Sequence, residues 1–429
     1  MSHLPRRAFL GTSLGAAAYT TVSARAAEAS SAAPAVKIGL IGCGWWGLID
    51  ARAALKAGGC EIAAVCDVDT DHLKKAAEEI GKLQGTPPLT FKNYSELLAV
   101  EGLKAVIIAT PPQWHALPFI AACERGLDIF CEKPLAYDIR EGRAMVDAAA
   151  KSGNIVQAGF QRRKAGGFAG AREHVRVGKA GRIISAEAQI HYRVEPADPT
   201  PVDPPASLDW DQWCGPAPLI PYSKAVGHMN WRLEKTTGHG HLVDWGIHLI
   251  DASRWILDLG MPTAVTAAGG LYHLKNRMTT PDILTVQFDF GSFPLTWRHR
   301  IWGARDMHRE TSNGIFLYGE RETVFCTDDR WVVLPEGRNA KPEIHEAKTD
   351  STALHMAEFL DTVRSRRQPS VSIGEAHRST TAVKLAMISL DTGSKVGWDA
   401  DGERIVDHPE AAAFLKRDYR APWIHPYQA

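Results

Sequence analysis

Two groups of residues in this 429-residue chain are of the types, and at the spacings, that move a proton beside a polarised oxygen. Residues 238–251 read G-H-G-H-L-V-D-W-G-I-H-L-I-D. On a helix, Asp244 and His248 share a face, with Asp251 one turn further on. Imidazole titrates near neutrality, so His248 suits proton transfer, and a neighbouring carboxylate fixes the ring and stabilises the imidazolium. Oxidation of an alcohol needs such a base as the hydride departs. The second group is Lys133, which follows the apolar run 128–131 and precedes Pro134. A lysine fixed there by proline is placed to hydrogen-bond a substrate oxygen. The plainer readings are a satisfied core histidine and an exposed surface lysine. His239, His241, Asp244 and His248 also have the ligand chemistry of a zinc site. Their spacing argues against it, because His241 and His248 are seven apart and no H-E-x-x-H occurs, so no metal is expected.

Such groups need a scaffold and an electron acceptor, and residues 37–47, K-I-G-L-I-G-C-G-W-W-G, point to both. Gly42, Gly44 and Gly47 have the G-x-G-x-x-G spacing of a dinucleotide turn. The first allows the turn, the second lets backbone approach a pyrophosphate, and the third lets the helix pack on the sheet. Trp45 and Trp46 lie at the helix start, whose amides face the phosphates. A second apolar run, 61–66, ends in Asp67, at the right distance for a carboxylate that holds both ribose hydroxyls. That charge repels a 2′-phosphate and favours NAD over NADP. The run 105–109 ends in Thr110-Pro111-Pro112-Gln113-Trp114-His115. Prolines there turn the chain at the carboxyl edge of a parallel sheet, the edge that also receives Glu132 and Lys133. His115 reads either as a wall of the nicotinamide pocket or as a loop or capping histidine. Glu132 reads as a group that orients Lys133 or the backbone.

Beyond residue 160 the strand–helix alternation stops. A helix near 168–177, a strand at 182–192, a proline-rich loop and strand-like runs at 263–271, 283–290, 293–299, 314–318 and 323–325 describe an open, largely antiparallel sheet with helices on one face. The fold class expected is therefore α/β, with a doubly wound parallel Rossmann sheet at 36–160 and an α+β domain with a C-terminal tail at 161–429. The loop 208–232 holds Trp210, Trp213, Tyr222 and Trp231, which serve equally as packing anchors or as platforms for a sugar ring. Trp231 is a candidate substrate contact.

Net formal charge is zero, with 49 basic and 49 acidic residues, which excludes the footprint of a nucleic-acid binder. Seven cysteines without a C-x-x-C pair read as small buried hydrophobes rather than a disulfide framework. Residues 1–26 carry Arg6-Arg7-Ala8-Phe9-Leu10, a mildly apolar stretch and Ala24-Arg25-Ala26. They resemble a twin-arginine signal, an ordinary secretory signal being the alternative. Export by the twin-arginine (Tat) machinery to the periplasm, or otherwise out of the cytoplasm, is expected. No later run is long and apolar enough to span a membrane, so the mature form is expected free of one.

T-P-P-x-x-H followed by C-E-K-P-L, behind G-x-G-x-x-G, resembles the Gfo/Idh/MocA family, the relatives of glucose-fructose oxidoreductase and inositol dehydrogenase. The resemblance covers the chain from residue 36 to near its end, including G-x-x-x-D-x-G-x-H-x-x-D over 240–251. It implies that Lys133 lies beside the nicotinamide and the reacting hydroxyl, that His248 is the base or acid, and that Asp244 is its partner or a substrate ligand. It places Arg163 near substrate and implies a homo-oligomer assembled through the second domain's sheet. The function implied is an NAD-dependent oxidoreductase acting on a sugar, glycoside or cyclic polyol. Two further readings share the motifs: a glycosidase that oxidises, eliminates and re-reduces with bound NAD, and a non-catalytic NAD-binding sensor. The intact Lys133, Asp244 and His248 favour an enzyme. An exported protein without a free nicotinamide pool is expected to keep NAD bound and recycle it.

Overall fold

The computed structural model describes residues 35–304 and 306–428. The segment 1–26, expected to be an export signal, lies outside the described residues.

Six parallel strands form the first sheet: β1 (Val36–Ile41), β2 (Cys60–Cys66), β3 (Leu89–Phe91), β4 (Ala105–Ile108), β5 (Asp128–Cys131) and β6 (Val156–Ala158). Their order is β3-β2-β1-β4-β5-β6, so the order reverses between β1 and β4. The crevice at that reversal is where a doubly wound sheet holds its ligand. All four residues of β4 and of β5 are buried, as strands covered on both faces must be. One cover comes from far along the chain. The helix Ser351–Ser365 packs along the helix Trp45–Ala57 and sets Phe359 edge-on to Phe130 of β5, so that Met356, Phe359, Leu360 and Val363 join one core cluster with Ile38, Leu40, Ile62 and Val65. The Rossmann core expected within 36–160 is thus completed by residues from 351 onward, because the crossover helices leave part of one face uncovered. Each such side chain contributes roughly 1.5–3 kcal/mol by leaving water.

The second sheet has ten strands: β7 (Ile183–His191), β8 (Ala264–Gly270), β9 (Ile283–Asp289), β10 (Pro294–Arg300), β11 (Asn313–Gly319), β12 (Glu322–Cys326), β13 (Arg330–Pro335), β14 (Glu343–Glu346), β15 (Val396–Asp399) and β16 (Arg404–Val406). The order β14-β13-β12-β11-β7-β10-β9-β8-β15-β16 is antiparallel except where β7 meets β10. Along β9, Leu284, Val286 and Phe288 are buried while Thr285 and Gln287 are exposed, the alternation of a sheet packed on one face. The helices Gly166–Arg176, Ile247–Leu257 and Ile373–Thr392 supply that packing.

Residues 193–238 form a long cover segment rather than sheet. Stacked Trp210 and Trp213, with centroids 4.6 Å apart, give it a small core of its own. It pairs with the end of the nucleotide sheet through an antiparallel bridge between Asp69 and Leu208. The Thr70 amide donates to the Ser207 carbonyl at 2.9 Å, and the Asp209 amide to that of Val68 at 3.1 Å. The tail returns to the same side: Arg417 meets buried Glu141, Arg420 meets Asp211, and Trp423 packs edge-on to Trp114. All seven cysteines are free, six of them buried, in keeping with their reading as hydrophobes. No helix among the described residues is long and apolar enough to cross a membrane.

Candidate active site

The turn after β1 shows why glycine is required there. Gly42 has φ +94°, and a Cβ on it would lie 2.7 Å from the Ala109 carbonyl carbon; one on Gly47 would lie 2.0 Å from the Gly42 oxygen. At Gly44 nothing lies within reach of a Cβ, so the space there is open to a ligand. The helix Trp45–Ala57 begins at Gly44 without a side-chain cap and without an acidic residue in its first turn, which leaves amides and dipole free for a pyrophosphate. Asp67 accepts from the Cys43 amide at 2.7 Å and the Asp69 amide at 2.9 Å, and it faces the cleft with lone pairs to spare for ribose hydroxyls. The Thr110 hydroxyl, at the carboxyl end of β4, is buried without a partner. These are the features a dinucleotide would satisfy.

One cleft of about 1060 Å³ joins this turn to the second domain. Gly42, Gly44, Trp45, Trp46, Asp67, Thr110 and Pro111 line its cofactor side; Lys133, Asp244, His248, Arg162, Arg232 and Trp231 line the other. The Lys133 ammonium donates to Asp244 Oδ1 at 2.8 Å and to the Asp244 carbonyl at 2.9 Å. Arg232 Nε donates to Asp244 Oδ2 at 2.6 Å. Burial raises the pKa of that carboxyl, but Arg232 and Lys133 outweigh it and hold the group at about 2. His248 is pushed the other way: burial, then the charges of Lys133 and Arg162, keep its pKa well below the ordinary value. Those effects favour the neutral imidazole, whose Nδ1 is buried without a partner among the described residues. Behind Lys133, burial raises both Glu132, to about 7, and Asp50 beside it. Glu132 Oε2 accepts from the Lys133 amide at 3.1 Å, which fixes the backbone there.

Three family models match this architecture in order. The model of the oxidoreductase family with an NAD-binding Rossmann fold covers residues 36–160. The GFO/IDH/MocA C-terminal domain covers 168–325, and the oxidoreductase family C-terminal alpha/beta domain covers 315–425. The chain belongs to the Gfo/Idh/MocA oxidoreductase family. Within that family it is 27% identical to the scyllo-inositol 2-dehydrogenase (NAD(+)) of Bacillus subtilis, over 52% of this chain and 56% of that protein. It is 28% identical to an uncharacterized oxidoreductase of Streptococcus pneumoniae over 60% of each. The chain spans between 43% and 60% of the length of such curated relatives. Among solved structures, levoglucosan dehydrogenase in complex with NADH and levoglucosan shares the fold, at TM-score 0.68 and 18% identity over 84% of this chain and 99% of that one. The aldose-aldose oxidoreductase of Caulobacter crescentus does so at TM-score 0.66 and 17% identity, over 85% and 99%.

Three assignments change on this Gfo/Idh/MocA scaffold. Asp244 does not orient His248, because residues Leu242–Gly246 form a π-helical turn. Its i→i+5 bonding disturbs the four-residue alignment, and the carboxylate bonds Lys133 and Arg232 instead. Arg163 is not at the cleft. It forms a buried pair with Asp251, at 2.6 and 2.8 Å, and Asp251 also accepts from Ser379. Its neighbour Arg162 lines the cleft instead, 3.3 Å from Asp328. His115 is fully buried, with Nδ1 2.8 Å from the Pro134 carbonyl and Nε2 2.7 Å from that of Thr110. Burial lowers its pKa to about 4, and it ties the loops after β4 and β5 together without lining the cleft. The tryptophans divide between the two readings: Trp210 is a packing anchor with its indole N–H on the Ile220 carbonyl, while Trp231 lines the cleft under the Arg232 guanidinium.

His239, His241, Asp244 and His248 do not converge on one point, since His239 Nδ1 lies 2.7 Å from Lys384 Nζ and the His241 ring packs at a tilt against Tyr192. Arg232 and Arg162 line the cleft without a local motif to mark them, because each is placed by a carboxylate outside its own segment, Asp244 and Asp328 respectively.

Proposed function

We propose that this protein is an exported, NAD-dependent oxidoreductase that acts on a sugar, glycoside or cyclic polyol and keeps its NAD bound through each cycle. The observation that carries the reading is a single cleft in which the dinucleotide turn and Asp67 face Lys133, Asp244 and His248. NAD, when bound, supplies the hydride acceptor. His248 accepts the hydroxyl proton as the C–H hydride departs, and Lys133 hydrogen-bonds the oxygen on which negative charge develops. Asp244, ionised at all ordinary pH, holds the ammonium in place. The Arg232–Trp231 pair offers an aromatic face and donors suited to a polyhydroxylated ring.

Retention of NAD is supported by the cover segment, which bridges the nucleotide sheet next to Asp67. The chemistry is then redox-neutral: one sugar is oxidised and another reduced, or one substrate is oxidised and re-reduced around a bond cleavage or epimerisation. The twin-arginine signature supports folding with NAD before export. Replacing Arg6 and Arg7 by lysine leaves the precursor in the cytoplasm if that route is used. The outer face of the ten-stranded sheet is the surface through which copies assemble. To test the activity, purified protein is mixed with a panel of sugars and cyclic polyols, and reduction of its bound nicotinamide is followed by absorbance. A non-catalytic sensor shows none with any of them.

A further inference from the structure

Two groups of side chains among the described residues stand close enough to share a metal ion: Asp69–His72–His228 and Asp138–Glu141–His425. The second already encloses a cation, the Arg417 guanidinium, 2.9 Å from Glu141. The first encloses none. We infer that Asp69, His72 and His228 form a binding site for a divalent transition metal of the zinc type, which fastens the cover segment to the nucleotide sheet.

The geometry favours an ion over a simple histidine–aspartate pair. Asp69 is buried; its Oδ1 accepts from the Asp71 amide at 2.9 Å and caps the helix Thr70–Gln84, leaving Oδ2 directed at His228 Nε2, 3.0 Å away. With metal–ligand bonds of about 2.0–2.1 Å, two tetrahedral ligands stand about 3.3 Å apart, close to this separation. A hydrogen bond to Asp69 uses one imidazole, yet a second is present: the His72 ring lies 4.3 Å from that of His228, centroid to centroid. His72 makes no hydrogen bond within the described residues; the nearest carboxylate, Asp67 Oδ2, is 4.0 Å from its Nδ1. All three ligand atoms lie within 4.8 Å of one another. His228 is held at φ +35°, directly after Gly227 at φ +92°. A non-glycine residue in this region is strained and persists when something holds it. Two imidazoles and a carboxylate suit zinc, cobalt or nickel rather than magnesium or calcium, and the fourth position is open to water.

The ligands also join the right segments. Asp69 and His72 flank the end of β2 and the following helix, whereas His228 lies in the cover segment, some 150 residues later and beside Trp231 and Arg232 of the cleft. The backbone bonds from Thr70 and Asp209 already tie these segments on one side. An ion on the other side would convert the cover into a two-point clasp next to Asp67.

The test measures metal in protein purified without chelator or added metal, and again after chelation and incubation with zinc alone. About one zinc per chain is expected on zinc loading, with His72→Ala and His228→Ala each falling to background while the protein stays folded. Chelated protein should be cut by trypsin at Lys224 and Arg232 at least ~10-fold faster than zinc-loaded protein, and the two alanine variants should show the fast rate with or without zinc. Wild-type protein that takes up no zinc, or variants that still bind it, would overturn the site. Zinc binding without protection of Lys224 and Arg232 would overturn the clasp. Neither readout depends on any sugar chemistry.

Discussion

The cofactor side and the substrate side of the cleft are built by different means. On the cofactor side each group is placed by backbone: a glycine turn, a bare helix start, and a strand-end carboxylate held by the amides of Cys43 and Asp69. On the substrate side the groups are placed by other side chains, Lys133 by Asp244 and Asp244 by Arg232, and away from the cleft Arg163 is tied into the core by Asp251. Backbone placement survives sequence change as a local pattern. Side-chain networks can be rewired by a one-residue shift, as the exchange of roles between Arg162 and Arg163 shows.

That exchange gives the sharpest break. Arg163→Met should cost about 3–5 kcal/mol of folding stability, because it strands Asp251 in the core with 2% of its side chain exposed. Denaturant unfolding measures it. Arg162→Gln should cost less stability, since the Asp328 side chain is 45% exposed as a whole and a glutamine amide can still donate to its buried Oδ1. Its effect should be on KM, raised roughly tenfold as one charge-assisted contact is lost. Equal stability losses for the two variants would erase the distinction.

If His248 is the proton acceptor proposed above, His248→Ala should lower turnover by about 100-fold with NAD still bound, because the glycine turn and Asp67 that would hold the dinucleotide are left intact. Loss of nucleotide together with activity would mean that the two sides are not separable.

A smaller effect concerns pH. Burial lowers His115, His299 and His355 to about 4 each, against 6.5 for the model imidazole. Folded-state values are depressed, so the unfolded chain binds more protons between those limits, and stability falls as pH falls from 6.5 towards 4. Each contributes up to about 1.4 kcal/mol per pH unit in that window. Thermal unfolding across it should show the decline. A flat profile would mean that these rings are not buried neutral.

The same contrast explains what the sequence made legible. The glycine spacing, Asp67, Lys133 and the strand runs of both sheets are local patterns of backbone geometry and hydrophobic alternation, and the structure has them where those patterns lie. The family resemblance carried His248 and Asp244 into one cleft. It did not carry their mutual geometry, because a π turn at Leu242–Gly246 has no reliable sequence signature and changes which residues align. His115 sits beside the right strand but turns inward, to carbonyls that only the fold brings within reach. The helix Ser351–Ser365 reads as amphipathic, yet nothing local says which sheet its apolar face will cover.

The central claim is that NAD stays in the cleft through turnover. Mature protein is purified, dialysed exhaustively and extracted for nucleotide, and a parallel sample is assayed on sugars without added cofactor. The account predicts close to one NAD per chain and activity that added NAD does not increase. Empty protein whose product forms one-for-one with supplied NAD would contradict it and leave a conventional dehydrogenase.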